Sequence, residues 1–590
     1  MPELRQREIG AVAALLCTHC DNILDSLEGL QLGNMTPWMD VSYHVNICGI
    51  KEAAKSGCEL CRVILAGFRT EHLQRLSAEP NTQLKARIGM FTSQDLSLVF
   101  QCCEATTSFR AKEKSSIRMA IHAQLPDEAE KIPSIPKSTG DVEALNLAKQ
   151  WLEHCVQNHE ACRPPESNDG PARIVSIGSN TSRLVPLSEL PDRFEYATLS
   201  HCWGNIQYLK LLKDNLEEFQ HQIPAHRLSK TFTDAIKITK HLGISYLWVD
   251  SLCIIQDDGD DWHRESKKMS TIYGCSTINI AATGAENGSI GCFFDRDSDL
   301  RDKLRKARIP ERIVQEKVLI TYDCIRDSIC QDDIDIAPLA SRGWCFQERF
   351  LPARALHFAK SQIWWKCQCY GACESFPDGI PLGLGLPNVK SRATKLFEKN
   401  HAQSLEAEHV MLSVSANTEL GMLPDVHFWD QSKLETATSL AAAWEKAVEI
   451  YSGTRLTRSR DKLIAIAGVA EWFSGRNGDE YVAGFWRQYL ETQLLWYTAE
   501  TQHETCDYDT KATEYLAPSW SWASTRCRVK YKRAFDVQDY DDEEQTWTQN
   551  INVVNVSIEL SDPSFLYGGT VWRHYTARIL ETVMRHQRVG

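Results

Sequence analysis

Tyr196-Ala197-Thr198-Leu199-Ser200-His201-Cys202-Trp203-Gly204 is an apolar run that closes on polar and aromatic residues, and it reads as a short strand entering a loop. Phe232, Ala235, Ile236, Thr239 and Leu242 follow at helical spacing, with Gly243 as the stop. Tyr246-Leu247-Trp248-Val249-Asp250 is a second, nearly continuous apolar strand that ends on a carboxylate. Trp262, Ser266, Met269 and Ile272 or Tyr273 then share one helix face, and Thr277-Ile278-Asn279-Ile280-Ala281 is a third strand. Strands that alternate with helices point to βαβ units. The expected fold of this region is α/β, a doubly wound parallel sheet.

Working outward, residues 1–170 are expected to form an α-rich Cys/His unit. Ile50, Ala53, Ala54, Gly57, Cys58, Cys61, Ile64, Leu65 and Phe68 make one helical stripe; Leu145, Ala148, Leu152, Cys155, His159 and Cys162 make another, stopped by Arg163-Pro164-Pro165. Leu96 to Phe100 reads as a strand, and the charged, proline-bearing segment from Lys112 to Asp141 as a surface loop. Residues 171–360 hold the α/β sheet. Residues 361–590 read as an α+β unit, with Leu440, Ala443, Trp444, Ala447, Val448 and Tyr451 on one helix face and Trp520 and Trp522 on a strand that suits a core element.

Composition limits the function classes. The 590 residues carry 65 Lys plus Arg against 78 Asp plus Glu, a formal charge of −13. With no long basic block, nucleic acid and anionic membrane surfaces are poor partners. Hydrophobic residues at 43% and charged residues at 24% are those of an ordinary globular chain. No stretch is long and apolar enough for a membrane span. The apolar run from Ile9 to Cys17 is short and follows Glu3 and Glu8, so no secretory leader is expected. The 21 cysteines are too sparse for a disulfide scaffold and odd in number. Mostly reduced thiols and a cytoplasmic location are the expectation.

In open α/β sheets, functional groups gather beyond the carboxyl ends of the strands. Three clusters have or can reach that placement: Ser200 to Gly204; Asp250-Ser251-Leu252-Cys253 with Gln256-Asp257-Asp258; and Arg342-Gly343-Trp344-Cys345-Phe346-Gln347-Glu348-Arg349. No glycine-rich phosphate loop lies near them, which argues against hydride transfer and nucleotide triphosphate hydrolysis.

Together these clusters resemble the three ordered motifs of the fungal heterokaryon incompatibility (HET) domain. Residues 196–204 resemble the first. Leu247 to Asp257, with Trp262, Glu265, Met269, Ile272 and Tyr273, resembles the second, and Arg342 to Arg349, with Leu351 and Arg354, the third. His201 stands where Tyr is common in the family and Ile255 where Asn is common. The early Cys pairs, Cys155-x-x-x-His159-x-x-Cys162, Asp461 and Lys462, Gly484-Phe485-Trp486 and Pro518 to Ser524 are similar to flanking parts of full-length members.

The resemblance implies non-self recognition and programmed cell death after fusion of unlike hyphae. Partners would be other incompatibility proteins, or copies of the same chain joined through the HET domain. The HET domain is in turn distantly similar to the TIR domain, a flavodoxin-like fold, and some TIR domains cleave NAD with one glutamate in a Trp-Cys-x-x-Glu stretch. Trp344-Cys345-Phe346-Gln347-Glu348 is similar to that stretch, which implies Glu348 as catalytic residue and NAD as substrate. Ser200, Trp203, Asp250, Arg342 and Trp344 would then contact the dinucleotide, Asp250 through a ribose hydroxyl and a Trp by stacking. No metal is assigned to this site. The alternative is a non-enzymatic module that works by self-association or recruitment.

Each signal also has a structural reading. Glu348 between Arg342 and Arg349 suits an ion pair, Trp203 and Trp344 suit a core, and Ser200 and Asp250 suit turn caps. Cys202 or Cys253 with His201 or His241 would be a nucleophile only if proximity and a lowered thiol pKa came together. Cys17-x-x-Cys20 and Cys58-x-x-Cys61 suggest a zinc site, with His44 as a further candidate ligand, and Cys155, His159 and Cys162 suggest another. Cys58, Cys61, Cys155 and Cys162 lie on apolar helix faces and suit a buried Cys/His core instead. Cys367, Cys369 and Cys373 show no ligand spacing.

Overall fold

A computed structural model describes residues 4–6, 15–25, 39–68, 70–79, 81–90, 98–104, 116–124, 135–165, 167, 169–179, 181–204, 207–297, 307–309, 312–314, 317–319, 321–326, 331–380, 437–499, 515–531, 552–558, 566–567 and 575–580. The polar stretch at 388–435 and the acidic residues 541–544 lie outside them.

The central sheet has eight strands: β1 (Arg173–Ile177), β2 (Ser182–Pro186), β3 (Tyr196–Ser200), β4 (Tyr246–Trp248), β5 (Ile278–Ala281), β6 (Arg354–Phe358), β7 (Ile363–Cys367) and β8 (Gly371–Cys373). Their spatial order is β8-β7-β6-β5-β3-β4-β1-β2. The four inner strands are parallel, with Tyr246 beside Tyr196, Ile278 beside Ala197 and Asn279 beside Ala355. Strands β3, β5 and β6 are buried along their whole length, as a sheet covered on both faces requires.

The sheet is therefore mixed, not all-parallel. The outer strands β1-β2 and β6-β7-β8 pair antiparallel. Their links are too short for a crossover: Gly178 N–H bonds Thr181 O at 2.8 Å and Ala359 N–H bonds Gln362 O at 3.2 Å, and a tight turn can return a chain only antiparallel.

Helix α1 (Val142–Asn158) and helix α2 (Lys230–His241) pack against each other, and both feed the core beneath the sheet. Ser229 caps α2 by accepting from Phe232 N–H, and Gly243 at φ +83° ends it as expected. The expected helix near 262–273 is two, α3 (Gly259–Lys267) and α4 (Met269–Gly274). Helix α4 packs on α5 (Cys345–Phe350). The C-terminal part carries helices and short strands, but Trp520 and Trp522, expected on a strand, flank and enter a 3-10 turn, Trp522–Ser524, which the Ser521 side chain caps. Helices α6 (Ala437–Tyr451) and α7 (Ala467–Asn477) enclose a core of Trp444, Trp486 and Trp522, joined by Phe346 and Phe350 from α5.

The N-terminal region departs from an α-rich unit. Strands Met39–Val41, Leu84–Met90, Leu98–Glu104 and Ser116–Gln124 form an antiparallel sheet with Thr321–Arg326 and Ala307–Ile309. Ser116–Gln124 lies inside the stretch expected to be a loop; its alternating Ile117, Met119 and Ile121 outweigh the charges and prolines around it.

Candidate functional site

Strand β3 delivers Ser200 and His201 to the carboxyl end of the parallel core, and β4 delivers Asp250. Chain connections diverge from the neighbouring strands β3 and β5, which makes a crevice at their carboxyl ends. Asn279 of β5 ties the two together. Its Oδ1 accepts from Thr198 Oγ1 (3.0 Å), and its Nδ2 donates to Ser200 Oγ (3.1 Å) and to Glu348 O (3.1 Å). A buried Asn in an apolar strand anchors α5 in this way, and its polarity there was the signal in the sequence.

Glu348 is 6% exposed. Its carboxyl group lies near Ser200, Cys345 and Arg342, without a direct ion pair to either flanking arginine: Arg342 Nη1 donates to His201 O at 2.5 Å, and Arg349 pairs with Asp335. Burial first, then the charge of Asp250, pushes the Glu348 carboxyl up to about 7. Arg342 stays cationic, because Cys345, Glu348, Cys202 and Asp250 around it outweigh its burial.

Asp250 accepts from Trp203 Nε1 (3.0 Å) and from Ser251 N–H (2.6 Å), so it caps its own turn and holds the tryptophan. Trp203 is half-buried. Its ring meets Tyr208 edge-on at 5.4 Å, and Lys210 Nζ stands 5.3 Å from its centroid. His201 is buried with Nε2 4.0 Å from Asp250, too far for a hydrogen bond, and burial pulls it down to about 4. Neither His201 Nε2 nor the buried Tyr208 hydroxyl has a hydrogen-bond partner among the described residues. Two orphaned polar atoms beside a carboxylate and an aromatic face suit a polar, ring-bearing ligand.

Structure thus gathers Ser200, Trp203, Asp250, Arg342 and Glu348. Trp344 turns elsewhere, its ring 6.0 Å from Trp262 and packed between the central and C-terminal cores. Tyr208 and Lys210 were not legible, since they lie on a loop with no motif of its own. Burial raises the Cys202 thiol and pushes Cys253 up to about 12, the opposite of what a nucleophile needs.

Away from this crevice, Cys17, Cys20, Cys58 and Cys61 are all buried and place their sulfurs within 4.8 Å of one another. Cys20 and Cys61 stand 3.3 Å apart, Cys17 and Cys61 3.7 Å, and His44 Nε2 reaches Cys61 at 3.3 Å. Tetrahedral zinc with Zn–S near ~2.3 Å has sulfur–sulfur edges of about 3.8 Å, so this donor set can hold a metal ion. Cys17, Cys20, Cys58, Cys61, Cys202 and Cys253 are free thiols, whereas Cys527 is disulfide-bonded. No helix among the described residues is long and apolar enough to cross a membrane.

Residues 196–348 match the family described as Heterokaryon incompatibility protein (HET). No curated protein and no solved structure matches the chain.

Proposed function

We propose that this chain, which carries a HET domain over residues 196–348, acts in heterokaryon incompatibility and the cell death that follows, by cleaving NAD in the cytoplasm. The observation that carries this reading is the convergence of Glu348, Asp250 and Trp203 at the carboxyl end of the parallel strands, with the Glu348 carboxyl near neutrality. Topology supports it. In chain order the parallel strands lie second, first, third, fourth, which is the start of the flavodoxin-like order and accords with a TIR-like domain.

The chemistry needs one carboxylate. The bond between ribose C1′ and the nicotinamide nitrogen breaks, and nicotinamide leaves neutral with the electron pair. The oxocarbenium character left on the ribose is stabilised by ionised Glu348, as in glycosidases. Water then bonds C1′ and releases a proton, giving ADP-ribose. Trp203 stacks on a ring of the dinucleotide, Asp250 takes a ribose hydroxyl, and Ser200 and Arg342 position Glu348. Trp344 acts only by backing α5. Zinc at Cys17, Cys20, Cys58 and Cys61 supplies structure to the N-terminal helices and no chemistry to this site.

The burial of Glu348, and the bond that Asn279 makes to its backbone carbonyl, favour a second reading: a non-enzymatic module in which α5 is a structural wedge and the surface recruits incompatibility partners or further copies. Glu348→Gln separates the two. NAD loss and nicotinamide release are measured with the full chain, wild type and variant, beside their thermal melts. We expect turnover that falls at least 100-fold in a variant with an intact melt. Absence of turnover in wild type, at concentrations high enough to force self-association, sinks the enzyme reading.

A further inference from the structure

A second cluster stands by the β7–β8 edge of the central sheet, and its fourth member comes from far along the chain. Helix α1 ends at Asn158, His159 is extended, and a single 3-10 turn carries Cys162. This irregular end turns Cys155, His159 and Cys162 toward Cys367 at the end of β7, with all four ligand atoms within 4.8 Å of one another. Cys367 Sγ lies 3.6 Å from His159 Nδ1, across 208 positions of sequence. Cys369 Sγ is a fourth thiol, 3.7 Å from Cys162.

We propose that Cys155, His159, Cys162 and Cys367 bind a zinc ion that clamps α1 to the edge of the central sheet. Three cysteines and one histidine are a closed structural set for zinc. The surroundings add an argument independent of spacing. Arg354 is 2% exposed, and its Nε–H donates to Cys155 Sγ at 3.1 Å while Nη1 donates to Thr277 O. Among the described residues no carboxylate pairs with it. A buried guanidinium needs a counter-charge. Three thiolates around one divalent zinc leave a single net negative charge, and Arg354 is placed to balance it. Tyr370 N–H donates to Cys367 Sγ at 3.4 Å, the kind of outer bond that orients and stabilises a ligating thiolate. Arg354 is therefore a positioning residue of the metal site. Because the ligands lie so far apart in sequence, the ion closes a long loop and joins α1 to β7. This reading is independent of NAD cleavage.

The test is zinc content per chain in the full-length protein, with zinc K-edge absorption for the ligand shell. We expect two zinc ions per wild-type chain. Cys367→Ala should keep one, and Cys58→Ala should also keep one, now in a mixed sulfur–nitrogen shell. Arg354→Met should weaken zinc retention against a chelator at least 10-fold in the Cys58→Ala background. Cys367→Ala that holds as much zinc as wild type overturns the proposal, as does a wild-type chain with a single zinc that Cys58→Ala removes. Should Cys367→Ala fail to fold, Cys58→Ala decides: no zinc, or a sulfur-only shell, overturns it.

Discussion

Glu348 and His201 both feel the charges of Asp250 and Arg342, and burial moves both toward the neutral form. Their consequences for stability oppose each other. Glu348 is raised from its ordinary 4.5 to about 7, so it holds a proton that the unfolded chain has already lost. The resulting stability is complete below pH 4.5 and is lost as pH rises through 7, a change of roughly 3 kcal/mol at most. His201 is lowered from 6.5 to about 4, so its contribution is complete above pH 6.5 and is lost as pH falls through 4. Glu348→Gln should therefore flatten the loss between pH 5 and 8, and chemical denaturation of both proteins at the two values checks it. An identical decline in the variant would mean that another group carries it. Asp250→Asn removes the charge that raises Glu348, so the midpoint of the Glu348 titration should fall. The NAD reading adds that turnover in wild type rises with pH through 7, since the working form is the carboxylate.

At the scale of elements, α5 is held from both sides. Cys345 and Glu348 face the sheet, whereas Phe346 and Phe350 enter the core of Trp444 and Phe473. Gly343, two residues before α5, has no space for a side chain: a Cβ there would lie 2.5 Å from Leu456 Cδ2. Gly343→Ala should cost about 1–3 kcal/mol and displace α5, an overpacking effect that a urea melt would read. A neutral result would mean that the loop carrying Leu456 yields freely. The opposite edge of the sheet depends on an ion pair. Arg296 and Glu374 are buried and bidentate, with bonds of 3.1 and 2.6 Å. Arg296→Met strands the carboxylate of Glu374 and should cost about 3–5 kcal/mol, whereas the double variant with Glu374→Leu should recover most of it.

For the whole molecule, the two cysteine clusters make different predictions about what metal removal does. The Cys17, Cys20, Cys58 and Cys61 set joins short helices, Thr18–Asp25, Ile47–Lys55 and Glu59–Gly67, whose own cores are small. Cys58→Ala should lose hydrogen-exchange protection across Thr18–Asp25, Ile47–Lys55 and Glu59–Gly67, while β3 and β5, deep in the central core, keep theirs. Uniform loss across both regions would make the N-terminal helices part of one cooperative unit with the sheet. Helix α1 and helix α2 share the central core, so the sheet is stabilised in part by residues that precede it in sequence.

The strands at 196–200, 246–248 and 278–281 and the three motifs were legible from sequence because each is local: apolar runs of strand length, helical spacing, and polar residues at strand ends. Ser200 and Asp250 were legible as neighbours, since strand ends on one edge of a parallel sheet must meet, whereas Glu348 lies on α5 and was implied only by the family resemblance. Tertiary structure alone decided which way Trp344 turns, that antiparallel hairpins flank the parallel core, and that Thr321–Arg326 joins the N-terminal strands. It also brought Cys367 to Cys155 and Arg354 to its sulfur. The reason is common to all of these. Periodicity records which face of an element is apolar, but the partner of that face, or of a lone sulfur on it, is chosen by packing across hundreds of positions that no local pattern encodes.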